Sequence, residues 1–436
     1  MSPSAGPSTP TRAARGPHPD GAPGRWTGAD TAWVISLFGT AVGAGILFLP
    51  LNAASTSLAP LVVGTLLIGP MTYFAHRALS RLICAAPEKG KDITELARGY
   101  FGEVPGTLVT VLYWLCFYPI VLIYAVALTN TVDDFMVHQL GLASPPRWLL
   151  SLVLVGLMMA AVLTSQKLVM AVTQALVYPL IALLAVSTLL LVPHWRPGAF
   201  QWMPEGDFGT TLWMLVPTLV FAFNHSAAIS QFSLSMQTEQ GDRAAAKASQ
   251  ILRRTATLLT VFTMAFVWSS VLALGPDGLE RAEGSNLSVL SYLAKEMDNA
   301  FFLWAGPIIA VAAIASSFFG HYLGAAEGGR GLVRALVDRR ERIGDRTLDL
   351  GIAGVYGLTA WLAAVLNPTI LDIIEALSGP VMAAYLYLMP IVAIHTVPAL
   401  KPFRHRVAAH SFVVVMGLVA VSAAAYAVPK ALQPYL

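Results

Sequence analysis

Charge is scarce in this chain. Asp, Glu, Lys and Arg make up 12% of its 436 residues, against roughly 25% in an ordinary soluble domain. Such a chain cannot cover a water-facing surface with polar groups, which excludes a string of soluble domains. Cysteine is nearly absent. Cys84 and Cys116 lie in or at the edge of apolar segments, so no disulfide framework is indicated and both read as small core residues. The formal net charge of +3 is too small to indicate a nucleic-acid partner. No HExxH pair, cysteine cluster or nucleophile motif occurs, so a membrane enzyme lacks support and neither cofactor nor metal is expected. A channel would favour a ring of repeated polar residues. A sensor would need a sizeable soluble domain to signal through, and the chain shows none.

What is abundant is apolar sequence. Hydrophobic residues reach 56%, with a mean hydropathy of +0.66. Residues 1–30 hold six prolines and five glycines and no apolar run, so a disordered tail is expected there. The first apolar stretch is then expected to act as its own insertion signal. Spans of about 20 residues, the length that crosses a bilayer as helix, are predicted near 31–55, 59–83, 105–132, 147–165, 168–192, 210–234, 252–274, 301–326, 348–366, 370–395 and 407–429. The expectation is an all-α protein with eleven transmembrane helices. Lys and Arg test that map: an inner amino terminus puts 22 of them inside and leaves Arg147, Arg196, Arg281, Lys295 and Lys430 outside. This predicts a cytoplasmic amino terminus and an outer carboxyl terminus. Two further elements are expected, an amphipathic inner-surface helix over 92–101 and a short outer helix carrying Leu287, Leu290 and Leu293. The latter reads as an outer lid or as a loop helix resting on the bundle.

Two spans are interrupted. Span one carries Gly39-Thr40-Ala41-Val42-Gly43-Ala44-Gly45 near its middle, followed by Pro50. Close helix packing through small residues is one explanation; an unwound segment is the other, and three glycines within seven residues suit it better. Span six carries Phe221-Ala222-Phe223-Asn224-His225-Ser226, with Pro217 one turn upstream. Consecutive Asn, His and Ser at mid-membrane are costly unless they face protein or water. Free backbone groups cannot be left in lipid, so both breaks should line one cavity. They fall five spans apart, in oppositely directed halves, which is the sequence pointer to a secondary transporter's binding site. Half-helix ends of both signs suit a zwitterion, with Thr40, Asn224, His225 and Ser226 reading a small polar side group. An α-amino acid is the economical ligand.

At these residues the sequence resembles the hydroxy/aromatic amino acid permease family, and within it the bacterial serine and threonine transporters. The matching stretches are GTAVGAGILFLPLN (39–52), PMTYFAHRAL (70–79), FAFNHS (221–226), GHYLGAAEG (320–328) and NPTILDIIEALSGP (367–380). They extend along nearly the whole chain after the tail. The resemblance implies a ten-helix core over 31–406, built as a five-plus-five inverted repeat with spans one and six broken. The segment 407–436 then adds an eleventh helix and an outer terminus. It also implies cation-coupled uptake of serine, threonine or a close relative across the cell membrane, with aromatic amino acids carried by other members. The substrate would lie between spans one, three, six, eight and ten. That points to Thr40, Gly43, Ala44, Gly45, Phe221, Asn224, His225 and Ser226, with Tyr118, Ser316 and Ser317 as further candidates.

Membrane voltage alone cannot concentrate an uncharged zwitterion. One co-transported cation supplies about 2.3 kcal/mol per 100 mV, roughly fifty-fold in concentration, so a coupling ion is required. Proton-carrier candidates within spans are His76, His225, His321, Glu327, Asp372 and Glu375, and His321 lies one turn after Ser317. Glu375 sits a turn before Gly379-Pro380, a predicted break in span ten. For the three acids an interfacial position close to water is the competing reading. His76, followed by Arg77, reads as structural. Sodium is the rival ion, and related folds would hold it with first-span carbonyls and the hydroxyls of Ser316 and Ser317. Some proton-coupled relatives carry a lysine in span five, whereas Lys167 falls at the membrane edge. The resemblance to serine transporters favours protons.

Overall fold

The computed structural model describes residues 23–432, apart from 53–56, 165, 205, 298, 339 and 341. The described residues contain helices and no strand. Among them, nine helices are long and apolar enough to cross a membrane, or ten when one bent pair counts as a single span. That bent pair is α1 (Gly28–Ala41) and α2 (Ala44–Asn52), and the bend between them is 50°. After it come α3 (Leu58–Cys84), α4 (Ile93–Phe101), α5 (Glu103–His138), α6 (Arg147–Thr164) and α7 (Gln166–Leu191). One continuous apolar run, Phe208–Gly284, contains α8 (Phe208–Ala222), α9 (Ile229–Gln240) and α10 (Ala244–Gly284).

The amino-terminal boundary lies earlier than composition predicts. Thr27 accepts the Asp30 N–H while the Asp30 carboxylate accepts the Thr27 N–H at 2.7 Å, a capping box that starts α1. The same carboxylate pairs with Lys247 of α10 at 2.7 Å, and both side chains are buried. Lys247 also donates to the Arg25 carbonyl at 2.9 Å. The Trp26 ring packs under Arg254, 3.7 Å from its guanidinium carbon. Residues 25–30 therefore belong to the bundle and not to the tail, because one indole and one carboxylate anchor a segment that its proline and glycine content marks as unstructured. The rest of the expected tail, residues 1–22, lies outside the described residues.

The two non-spanning helices are present. Asp92 caps α4 through the Thr94 and Glu95 N–H groups, and Ile93, Leu96 and Ala97 turn inward. Tyr100 donates to the Leu82 carbonyl at 3.0 Å, and burial pushes its phenol up to about 12. Gly102 (φ +85°) makes the turn into α5, and Gly106 lies so close to the Arg98 backbone that no side chain fits between them. On the other side, α11 (Val289–Glu296) rests on α12 (Ala300–Leu336): a side chain at Gly306 would come within 2.9 Å of the Leu290 carbonyl oxygen. It is a loop helix seated on the bundle.

Two proline-containing helices behave differently. In α10, Gly275 (φ +71°) precedes Pro276 and ends the straight part of the helix, and Arg196 satisfies the freed carbonyls of Ala273 and Leu274 at 2.9 and 3.1 Å. Span ten does not break at Gly379-Pro380, contrary to the sequence expectation. It runs on from α14 (Ile370–Ile373) through a π-helical turn at Ile374–Ser378 into α15 (Gly379–Ala383). A second π-turn at Ala384–Leu388 leads into α16 (Met389–Thr396). The wider turns absorb the donor missing at Pro380 without unwinding the helix. Gly379 serves close packing, since a Cβ there would sit 2.7 Å from the Pro217 carbonyl oxygen. The last two helices are α13 (Asp345–Leu366), beside α5 and α6, and α17 (Val407–Leu432), against α8 and span ten.

Candidate functional site

The first break opens at Val42, which is extended (φ −75°, ψ 92°) between α1 and α2. The end of α1 leaves carbonyls without helical donors. Ser317, fully buried in α12, answers them: its Oγ lies 3.2 Å from the Gly39 oxygen, 3.4 Å from Thr40 and 2.8 Å from Val42. A hydroxyl has one proton for three acceptors, so this corner is rich in oxygen lone pairs. Gly43 is wedged beside it. A Cβ at Gly43 would stand 2.5 Å from Ser317 Cβ and 2.7 Å from the Tyr124 hydroxyl.

The second break follows α8. Phe223, Asn224 and His225 are non-helical, and a 3₁₀ turn at Ser226–Ala228 leads into α9. Asn224 Oδ1 accepts the Ser226 N–H at 3.0 Å, so the side chain replaces a missing backbone acceptor. The breaks touch: a Cβ at Gly45 would lie 2.5 Å from the Ala222 Cα and 3.1 Å from the Phe221 ring. Asn224, His225 and Ser226 are buried; Asn224 faces His76 and Ser226 faces the Cys116 thiol, yet Asn224 Nδ2, His225 Nε2 and Ser226 Oγ meet no partner at full hydrogen-bond geometry. Unpaired polar atoms cost about 1–3 kcal/mol each when buried, so three in succession mark a place suited to a polar ligand.

Other sequence candidates stand at varying distances from this centre. Thr40 donates to the Ser36 carbonyl within α1 at 3.0 Å, and its methyl faces Gly320. Ser316 donates back to Ala313 at 3.0 Å. Tyr118 stacks on Trp114 (centroids 4.8 Å) and leans on Tyr356 of α13, not on the breaks. His321 hydrogen-bonds the Ser317 carbonyl through Nδ1 at 2.9 Å, and the rings of Phe117 and Tyr124 meet it edge-on. Glu327 is further along α12, facing Tyr113, Ser230 and the Ile93 N–H of α4. Asp372 is half-buried in the first turn of α14. The side chains of Ala44 and Glu375 lie outside the described residues.

Two residues join the centre that sequence reasoning did not place there. Tyr124 is one; in an α5 that is apolar all round, nothing distinguished it from Tyr118. His76 is the other. Its ring stacks on His225 with centroids 3.6 Å apart and planes 6° apart, and its Nε2 accepts the His225 backbone N–H at 3.1 Å. Among the described residues, no group of three or more His, Cys, Asp or Glu side chains could hold a metal ion.

A family model decides what this arrangement belongs to. The model of the tryptophan/tyrosine permease family matches residues 31–421. The chain belongs to that family. It is therefore a multi-pass membrane protein of amino acid transport and not an enzyme. The serine transporter SdaC of Escherichia coli (strain K12) is 42% identical over 409 residues, covering 92% of this chain and 95% of that protein. The threonine/serine transporter TdcC of Yersinia enterocolitica is 34% identical over 420 residues, covering 91% and 95%. Among solved structures, MhsT in complex with L-phenylalanine aligns with a TM-score of 0.57 at 16% identity, over 94% of this chain and all of that one. At that identity the likeness is one of fold.

Proposed function

We propose that this permease is a secondary active transporter that imports a small polar amino acid, serine or threonine, by symport with a cation. The observation that carries the reading is the contact of the two breaks at Gly45 and Ala222, beside three buried polar atoms without partners. Around that contact, the first-turn N–H groups of α2 offer partial positive charge to a carboxylate. The last carbonyls of α1 and α8 offer partial negative charge to an ammonium. Asn224, His225 and Ser226 then meet the side chain, while Gly43, Gly45 and Phe221 shape the space and Tyr124 bounds it. The names of the relatives in Escherichia coli and Yersinia support serine and threonine over an aromatic cargo.

The 77-residue run Phe208–Gly284 would be about 115 Å long as one helix, far more than a 30 Å hydrocarbon core. Counted as two passes, broken span six and α10, it gives eleven spans arranged as a five-plus-five repeat with one helix added. The distribution of Lys and Arg then puts the amino terminus in the cytoplasm and the carboxyl terminus outside.

For the coupling ion we favour the proton, with His321 as its carrier beside the first break. Sodium is the second reading, favoured by the three carbonyl oxygens converging on Ser317. Purified protein in liposomes separates the two: L-serine should accumulate under an inward proton gradient without sodium. Accumulation that needs sodium and ignores pH assigns the ion to the Ser317 corner. No serine accumulation under either gradient overturns the transport reading.

A further inference from the structure

Asn224, His225 and Ser226 each keep one polar atom unpaired, and the bonds made by their other atoms say which partner is missing. His225 Nδ1 lies 3.2 Å from the Phe223 carbonyl. A carbonyl only accepts, so Nδ1 carries the hydrogen and Nε2 is a bare lone pair. The Asn224 amide faces His76 and is oriented by its Oδ1 bond to Ser226, which leaves Nδ2 as its donor end. A bare acceptor on one residue and a donor on the residue before it complement a hydroxyl, which gives a proton to the one and can accept from the other.

The second histidine holds this arrangement from outside the break. His76 Nδ1 faces the Thr72 carbonyl at 2.8 Å, so its hydrogen is there and its Nε2 lone pair is free to accept the His225 N–H. That N–H sits in a non-helical stretch inside a membrane span, where water cannot serve it. The His76 ring also lies flat on the His225 ring. It does so from α3, a helix unbroken from Leu58 to Cys84.

We propose that His76 is a positioning residue for substrate selection: by accepting the His225 N–H and stacking on its ring, it holds His225 Nε2 as the acceptor for the hydroxyl of a hydroxy-amino acid. The assignment rests on the reading that the sixth-span break lines the amino acid site, and it names the group that site selects. Gln at position 76 can place an amide oxygen near the position of Nε2, whereas Phe keeps the flat ring and has no acceptor.

The test is the ratio of kcat/KM for L-serine to that for L-alanine, measured in proteoliposomes and so independent of the amount of active protein. A site built around a hydroxyl should prefer serine by about a hundredfold or more. His76→Phe should lower the ratio about tenfold or more, and His76→Gln should hold it within about threefold of the unmodified protein. An unchanged ratio in His76→Phe overturns the assignment, as does a His76→Gln variant no more selective than His76→Phe. The unmodified protein supplies a second measurement that needs no variant to fold: O-methyl-L-serine keeps the oxygen but has no proton to give Nε2. It should compete with serine uptake at least about tenfold less well than serine itself, and equal competition overturns the proposal. Failure of the unmodified protein to carry serine at all strikes the transport reading instead, which keeps the two failures apart.

Discussion

Replacing Gly45 with alanine adds one methyl group at the contact between the two breaks. Its carbon would stand 2.5 Å from the Ala222 Cα and 3.2 Å from the Ala222 nitrogen. Carbon atoms rest at about 3.5–4.0 Å, so the first break must retreat from the second by about 1 Å. Both obstacles are backbone, and neither can rotate away as a long side chain would. Overpacking of this kind costs about 1–3 kcal/mol. If the site is made by the apposition of these segments, that cost falls on the substrate-bound state and uptake drops roughly five- to 150-fold. The assay is the initial rate of L-serine uptake into liposomes, normalised to reconstituted protein. Gly99→Ala is the control, an exposed position in α4 where an added methyl meets nothing. Wild-type uptake by Gly45→Ala would show that the breaks do not need to touch for transport, and the reasoning would fail.

Asp30→Asn leaves Lys247 buried without its counter-ion and should cost about 3–5 kcal/mol, read as a lower melting temperature of the purified protein. Adding Lys247→Met should restore most of the loss, and no recovery would argue against the ion pair as the cause. His321→Ala should remove the pH dependence of serine uptake, whereas an unchanged profile clears His321 as proton carrier. Asp338, after α12, accepts the N–H groups of Arg342 and Ile343 and pairs with Arg334, and those backbone bonds hold its carboxyl below the ordinary 3.8. A lowered value means the contribution is complete above pH 3.8 and is lost as pH falls through the folded-state value. Asp338→Asn should therefore speed amide exchange at Arg342 and Ile343 at neutral pH, and the difference from wild type should shrink in acid.

The interruptions were legible because lipid makes them expensive. Glycines clustered at 39–45 and polar residues at 224–226 have no cheap place in a plain span, and both stretches proved non-helical at Val42 and at Phe223–His225. Gly379-Pro380 carries the same kind of signal with another outcome, since π-turns keep that helix continuous. The orientation of α5 was not legible. A helix that is apolar on every side has no stripe to phase it, so Tyr118 and Tyr124 look alike in sequence while only Tyr124 reaches Gly43. Nor was the stacking of His76 on His225, a pairing across 149 positions that no local pattern encodes.

If the amino acid binds where the two breaks meet, the wedge at Gly43 decides whether it can bind at all. The most direct measurement is the rise in melting temperature that saturating L-serine gives to the purified protein, compared between wild type and Gly43→Leu. Ligand at a hundred times its Kd stabilises a folded protein by about 2.7 kcal/mol, enough for a clear rise. The rise should appear in wild type and be absent from Gly43→Leu, whose added side chain must displace Ser317 and the Tyr124 hydroxyl. An equal rise in both would place serine somewhere else.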